Sequence, residues 1–216
     1  MYLAIEGVIG VGKTTLVRLL QPAFDANILL EVFEENPFLS DFYSDRARYA
    51  FQTQIFFLLS RYHQQHKAVP AMLETGRHLI SDYTFEKDGL FAQINLQNDE
   101  LAMYRRVHEA LAEKIPPPDL VVYLRASSDR LMQRIALRNR EYERTIQPAY
   151  LEQLNQLYEN WIAGFTFCPV LTVPADDLDY VAHPHHLDLI LRKVQEKLTG
   201  KEEVLFDPEE VNQASF

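Results

Sequence analysis

Gly7-Val8-Ile9-Gly10-Val11-Gly12-Lys13-Thr14-Thr15 follows directly on the apolar run Tyr2-Leu3-Ala4-Ile5, and its reading decides the rest of the chain. The stretch satisfies G-x-x-x-x-G-K-[ST] at every position. Gly7, Gly10 and Gly12 let successive backbone N–H groups turn toward a polyphosphate, and a helix starting near Lys13 aims its positive end at the same anion. Lys13 then reaches the β- and γ-phosphates and the Thr14 hydroxyl holds Mg²⁺, with Thr15 beside it in the loop. Three of the seven glycines in the chain fall here, after an apolar run that reads as a strand.

Further apolar runs recur at Ile28 to Phe33, Leu79 to Ser81, Leu120 to Leu124 and Val170 to Val173, separated by long segments with helical spacing. Short apolar strands alternating with helices indicate an α/β domain of the P-loop NTPase type, a parallel five-stranded sheet with helices on both faces. The domain is expected over residues 1–200, followed by an acidic, aperiodic extension over 201–216. Ligands of such sheets bind beyond the carboxyl ends of the strands. Glu34-Glu35-Asn36-Pro37 follows the second run, Asp82 the third, and Arg125-Ala126-Ser127-Ser128 the fourth, with Ser127 or Ser128 capping the next helix. Asp82 stands where a second Mg²⁺-site carboxylate belongs.

The composition, 47% hydrophobic and 24% charged, suits a folded soluble domain. No apolar run approaches a membrane span, and the start lacks the features of a secretory signal, so the expected compartment is the cytoplasm. Cys168 is the one cysteine and has no partner for a disulfide. A net charge of −10 argues against a nucleic-acid polymer as partner, since that requires a basic face. It leaves room for a nucleotide, because six arginines lie between Arg125 and Arg144.

Arg130, Arg134 and Arg138 recur at intervals of four on one helix face, with Arg140 and Arg144 following. Beside a phosphate loop the row reads as a lid over the transferring phosphoryl group. The segment from Arg46 to Glu74 reads as one long aromatic helix in which Gln52, Gln54 and Arg61 accompany Tyr49, Phe51, Phe56, Phe57 and Tyr62. Most of these side chains pack on the sheet. Glutamines beside an aromatic wall also suit a planar heterocycle.

On these residues the chain, from Tyr2 to about Leu198, resembles the deoxycytidine/deoxyguanosine kinase family of deoxynucleoside kinases. The resemblance implies ATP as phosphoryl donor, Mg²⁺, and the 5′-hydroxyl of a deoxynucleoside as acceptor. Glu35 is similar to the general-base glutamate of the family, within the form Glu-Asn-Pro-Phe-Leu shared with bacterial deoxyguanosine kinases, and Glu34 is the alternative. Tyr43 resembles a tyrosine that touches the 3′-hydroxyl, and Glu143 falls where a glutamate does so. Matching Leu59-Ser60-Arg61 puts Gln54 at the base-reading glutamine, whereas matching Phe51-Gln52-Thr53 puts Gln52 there. Arg61 and Asp88 resemble the pair at the base edge. Arg134, Arg138 and Arg140 resemble the catalytic lid arginines, and Asp177 lies where the adenine of ATP packs.

One departure concerns Asp82-Tyr83-Thr84, where the family usually carries an arginine after the acid; Arg144 or Lys87 is expected to supply that charge. The likeness further implies a purine deoxynucleoside as substrate, a homodimer, and feedback inhibition by a deoxynucleoside triphosphate. Two other readings use the same phosphate loop. One is a nucleoside monophosphate kinase such as thymidylate kinase, and the other a non-enzymatic nucleotide switch.

Overall fold

The computed structural model describes residues 1–32 and 35–199, with Phe206 and Val211. Its centre is a parallel sheet of β1 (Tyr2–Gly7), β2 (Ala26–Leu29), β3 (His78–Ser81), β4 (Leu120–Arg125) and β5 (Val170–Pro174), in the order β2-β3-β1-β4-β5. All six residues of β1 are buried. A strand hidden on both sides requires helices on both faces, which explains why Tyr2 to Ile5 is an apolar run without alternation.

Eight α-helices occupy α1 (Lys13–Ala23), α2 (Leu39–Ser44), α3 (Arg46–Glu74), α4 (Lys87–Asn95), α5 (Asn98–Ala112), α6 (Ser128–Arg138), α7 (Pro148–Gly164) and α8 (Pro184–Thr199) among the described residues. Helices α1 and α8 pack on the sheet and on each other. Helix α3 lies against β2 and β3 and carries α4 and α5, while α7 packs on α4 and α6. No helix among the described residues is long and apolar enough to cross a membrane.

Helix α3 starts where the Asp45 side chain accepts a hydrogen bond from Arg48 N at 3.3 Å and spans the full segment expected from its spacing. Its buried stripe is Ala50, Thr53, Gln54, Leu58, Arg61, Gln65 and Val69. The i, i+4 rhythm is that of an amphipathic helix. Yet three of its inward positions hold glutamine or arginine, groups whose burial is costly unless they meet polar partners.

The second strand is shorter than its apolar run suggests and ends at Leu29, paired with Ser81. Beyond that register the Asp82 carboxylate replaces a strand partner: its Oδ1 accepts from Glu31 N at 2.7 Å. Leu30 O meanwhile accepts from Gln64 Nε2 at 2.8 Å, so side chains draw the backbone out of the sheet. Ser127, rather than Ser128, caps α6, its side chain accepting from Arg130 N at 3.3 Å. The extension expected over 201–216 lies outside the described residues except for Phe206 and Val211, which pack against the main core. His186 Nε2 lies 3.3 Å from Val211 O.

Candidate active site

The loop from Gly7 to Gly12 leaves β1 and turns into α1. A Cβ on Gly7 would lie 2.6 Å from Leu124 O of the adjacent strand, so only glycine lets the loop leave between β1 and β4. Gly12 caps α1 at φ 105, a conformation that favours glycine, and a Cβ there would meet Tyr180 Oη at 2.8 Å. Lys13 Nζ donates to Gly7 O at 2.7 Å and to Val8 O at 3.2 Å. Burial pushes this amine down to about 8, with Lys87 adding repulsion. A group so placed is ready to exchange loop carbonyls for phosphate oxygens.

The Thr14 hydroxyl donates to Asp82 Oδ2 at 2.6 Å, while Asp82 Oδ1 accepts from Glu31 N at 2.7 Å. One aspartate therefore joins the start of α1 to the chain leaving β2. Among the described residues no group of three His, Cys, Asp or Glu is placed to hold a metal ion. The Thr14–Asp82 oxygen pair fits an ion such as Mg²⁺, which keeps several waters and draws its other ligands from phosphate.

Above these residues opens a cavity of about 450 Å³, large enough for a small planar ligand. Its lining brings together Lys13, Thr14 and Thr15 with Tyr43, Gln54, Arg61, Asp82, Arg138, Arg140 and Glu143. Phe57, Phe91 and Tyr142 supply aromatic wall. Gln54 is 2% exposed, and its Oε1 has no hydrogen-bond partner, whereas Gln52 lies on the exposed side of α3. The two alignments left open by the sequence thus differ in space, and only Gln54 faces the cavity.

Glu31 lines this cavity, although sequence reasoning passed over it. Its Oε1 accepts from Arg61 Nε at 2.9 Å and from Arg61 Nη2, and its Oε2 accepts from Lys87 Nζ at 2.6 Å. Arg61 Nη1 forms an ion pair with Asp88, which is fully buried. The four side chains form a buried row, Asp88–Arg61–Glu31–Lys87, two negative and two positive. Burial alone would raise the Glu31 carboxyl, but Arg61 and Lys87 hold it well below the usual carboxylate range. Glu35, by contrast, is exposed and absent from the cavity wall. Glu34 lies outside the described residues.

The lid arginines divide. Arg138 donates to Glu143 through Nε at 3.0 Å and Nη2 at 2.5 Å, and Arg140 Nη1 lies 3.6 Å from the same carboxylate. Tyr43 stacks on Tyr142 with ring centres 6.2 Å apart, adjoining Glu143. Arg134 lies outside the cavity: Nη1 donates to Val11 O at 2.9 Å and Nη2 to Ala175 O at 2.8 Å, bracing the phosphate loop against the chain after β5. Asp177 lines a separate recess of about 350 Å³ with Ser127, Asn155 and Asp176.

Beneath the loop, Glu6 is fully buried, with Oε1 accepting from Thr84 N at 2.5 Å and Thr84 Oγ1 at 2.9 Å. Burial raises its carboxyl pKa. Together the two halves place phosphate-binding groups on one side and a carboxylate, a buried arginine and an open glutamine on the other. Such an arrangement can align an anionic phosphoryl donor with a neutral hydroxyl acceptor.

A family model described as deoxynucleoside kinase matches residues 3–199. Deoxyguanosine kinase of Bacillus subtilis (strain 168) is 35% identical over 199 residues, covering 90% of this chain and 96% of the relative. Deoxyadenosine/deoxycytidine kinase of the same organism is 30% identical over 200 residues, covering 89% and 90%. Among solved structures, a deoxyadenosine kinase from M. mycoides with bound dATP superimposes with a TM-score of 0.78 at 28% identity, covering 90% of this chain and all 100% of that one.

Proposed function

Because the chain belongs to the deoxynucleoside kinase family, we propose that it transfers the γ-phosphoryl of ATP to the 5′-hydroxyl of a purine deoxynucleoside, with Glu31 as general base. The observation that carries the reading is the Glu31 carboxylate in the cavity beside Lys13, Thr14 and Asp82. An alcohol is a poor nucleophile until its proton has somewhere to go. The acceptor oxygen forms a bond to the γ-phosphorus as the bond from that phosphorus to the bridging oxygen of ADP breaks, and the hydroxyl proton passes to Glu31. A carboxylate has about four lone-pair sites, so the contacts from Arg61 and Lys87 leave room for this proton.

Charge spreading over the phosphoryl oxygens is the main demand of the reaction. Lys13 and the lid residues Arg138 and Arg140 meet it here. Thr14 and Asp82 would hold Mg²⁺, which would supply neutralisation of phosphate charge. Gln54 and the Arg61–Asp88 pair read the nucleobase edge, and Tyr43 and Glu143 hold the sugar. The phosphate loop and the β5 loop braced by Arg134 form the donor side.

The purine preference is supported by the Bacillus subtilis deoxyguanosine kinase. The M. mycoides kinase with bound dATP supports feedback by a deoxynucleoside triphosphate. A homodimer through α3 and a cytoplasmic location accompany this reading.

A kinetic panel of the four deoxynucleosides and thymidylate, with ATP and Mg²⁺, tests it. Turnover is expected with deoxyguanosine or deoxyadenosine and to be much weaker with thymidylate. Preferential turnover of thymidylate would point to a monophosphate kinase, and nucleotide binding without acceptor-dependent turnover to a switch.

A further inference from the structure

Lys87 opens α4, is 5% exposed, and places Nζ 2.6 Å from Glu31 Oε2. Two other residues stand nearby in sequence or in the lid, and neither reaches this carboxylate. The Tyr83 hydroxyl turns away and donates to Gln64 Oε1 at 2.6 Å. Arg144 Nε donates to Asn139 Oδ1 at 3.1 Å, on the exposed side of the lid. The second cation beside Glu31, after Arg61, therefore comes from the start of α4.

The contact matters because of where the second one lies. Arg61, from α3, takes Glu31 Oε1, and Lys87, from α4, takes Oε2. The terminal torsion of a carboxylate is soft, so a cation on one oxygen alone leaves the group free to swing. Pinned at both oxygens, Glu31 keeps its remaining lone pairs aimed in one direction. Charge gives a second reason. Within the buried row, Glu31 and Asp88 are matched by Arg61 and Lys87. Without Lys87, Arg61 would be left to serve both Glu31 and Asp88, and the excess negative charge would face a polyanionic donor in a poorly screened site.

We propose that Lys87 is a positioning residue for phosphoryl transfer: by holding Oε2 it fixes the Glu31 carboxylate in the orientation that receives the acceptor proton. This rests on the reading of Glu31 as the base. Tyr83 and Arg144, engaged with Gln64 and Asn139, are not arranged to fill this role.

The test is a double-mutant cycle between Lys87→Met and Glu31→Gln, with Lys87→Arg as the conservative variant. It reads kcat and KM for the preferred deoxynucleoside at saturating ATP and Mg²⁺. Lys87→Met is expected to lower kcat by about tenfold or more while changing KM for the deoxynucleoside less than about threefold. Lys87→Arg should regain most of the loss. In the Glu31→Gln background, Lys87→Met should cost less than about twofold further, because the group it positions is gone.

A Lys87→Met kcat near wild type, or a full additional loss in the double variant, would overturn the proposal. Should Lys87→Met fail to fold, Lys87→Gln and its double variant with Glu31→Gln complete the same cycle. Failure of the underlying reading looks different. There, either the wild type lacks deoxynucleoside-dependent turnover or Glu31→Gln is unimpaired, whereas failure of this inference alone leaves Glu31→Gln defective and Lys87→Met active.

Discussion

Glu31 and Asp82 are joined by a hydrogen bond of 2.7 Å from the Glu31 backbone N–H to Asp82 Oδ1, while Asp82 Oδ2 accepts from the Thr14 hydroxyl. Through this one aspartate, the residue that fits a metal also sets where the chain carrying Glu31 leaves the sheet. Asp82→Asn retains an oxygen for Glu31 N but cannot accept from Thr14 with its amide nitrogen. We expect kcat to fall by about 10²-fold and the Mg²⁺ concentration for half-maximal rate to rise. A Mg²⁺ titration of the steady-state rate checks both.

Gln54 and Gln52 are two residues apart on α3 and face different surroundings. The open Oε1 of Gln54 is buried at the cavity, and Gln52 is exposed. A site built to hydrogen-bond a substrate discriminates strongly when that bond is lost. Gln54→Leu should lower kcat/KM for the preferred deoxynucleoside by about 10- to 100-fold. Gln52→Leu should leave it within about twofold.

Arg134 and Arg138 share a helix face but are engaged differently. Arg134 donates to two backbone carbonyls, Val11 O and Ala175 O, and Arg138 to the Glu143 carboxylate in the cavity. Arg134→Met should therefore raise KM for ATP and lower Tm, since it leaves two carbonyls short of a partner. Arg138→Met should act chiefly on kcat, by about 10²-fold or more, with Tm nearly unchanged. Thermal melts alongside ATP-dependent rates distinguish the two.

The layout of the fold was largely legible in the sequence. The loop from Gly7 to Thr15 and the apolar runs gave the parallel sheet, and the bounds of α3 matched its aromatic segment. Glu31 was hidden for a physical reason. It sits inside Ile28-Leu29-Leu30-Glu31-Val32-Phe33, where a single charge between aliphatic residues reads as part of a continuous strand. The strand ends at Leu29 because the Asp82 and Gln64 side chains, distant in sequence, capture the backbone of Glu31 and Leu30. Periodicity reports on local burial and carries no sign of such long-range contacts. Arg134 illustrates the same limit, since its spacing with Arg138 sets a helix face but not what that face meets.

His108 tests the packing of α5 apart from the site. Its ring stacks on Phe85 with centres 4.8 Å apart, and burial lowers the imidazole pKa. The unfolded chain thus takes up the proton first as pH falls through about 6.5, so this contribution to stability is present above that pH and lost below it. Tm should fall on going from pH 7.5 to 5.5, and His108→Phe should reduce that fall by about a few degrees. Identical pH dependence in the two proteins would show that burial of this imidazole is not linked to stability.

The central claim is that the carboxylate receiving the acceptor proton is Glu31, in the cavity, and not Glu35, exposed outside it. The most direct measurement compares kcat of Glu31→Gln and Glu35→Gln with the preferred deoxynucleoside at saturating ATP and Mg²⁺. We predict a loss of about 10²-fold or more in Glu31→Gln with substrate binding retained, and a Glu35→Gln rate within about twofold of wild type. Wild-type turnover in Glu31→Gln, with the loss appearing in Glu35→Gln, would contradict the account.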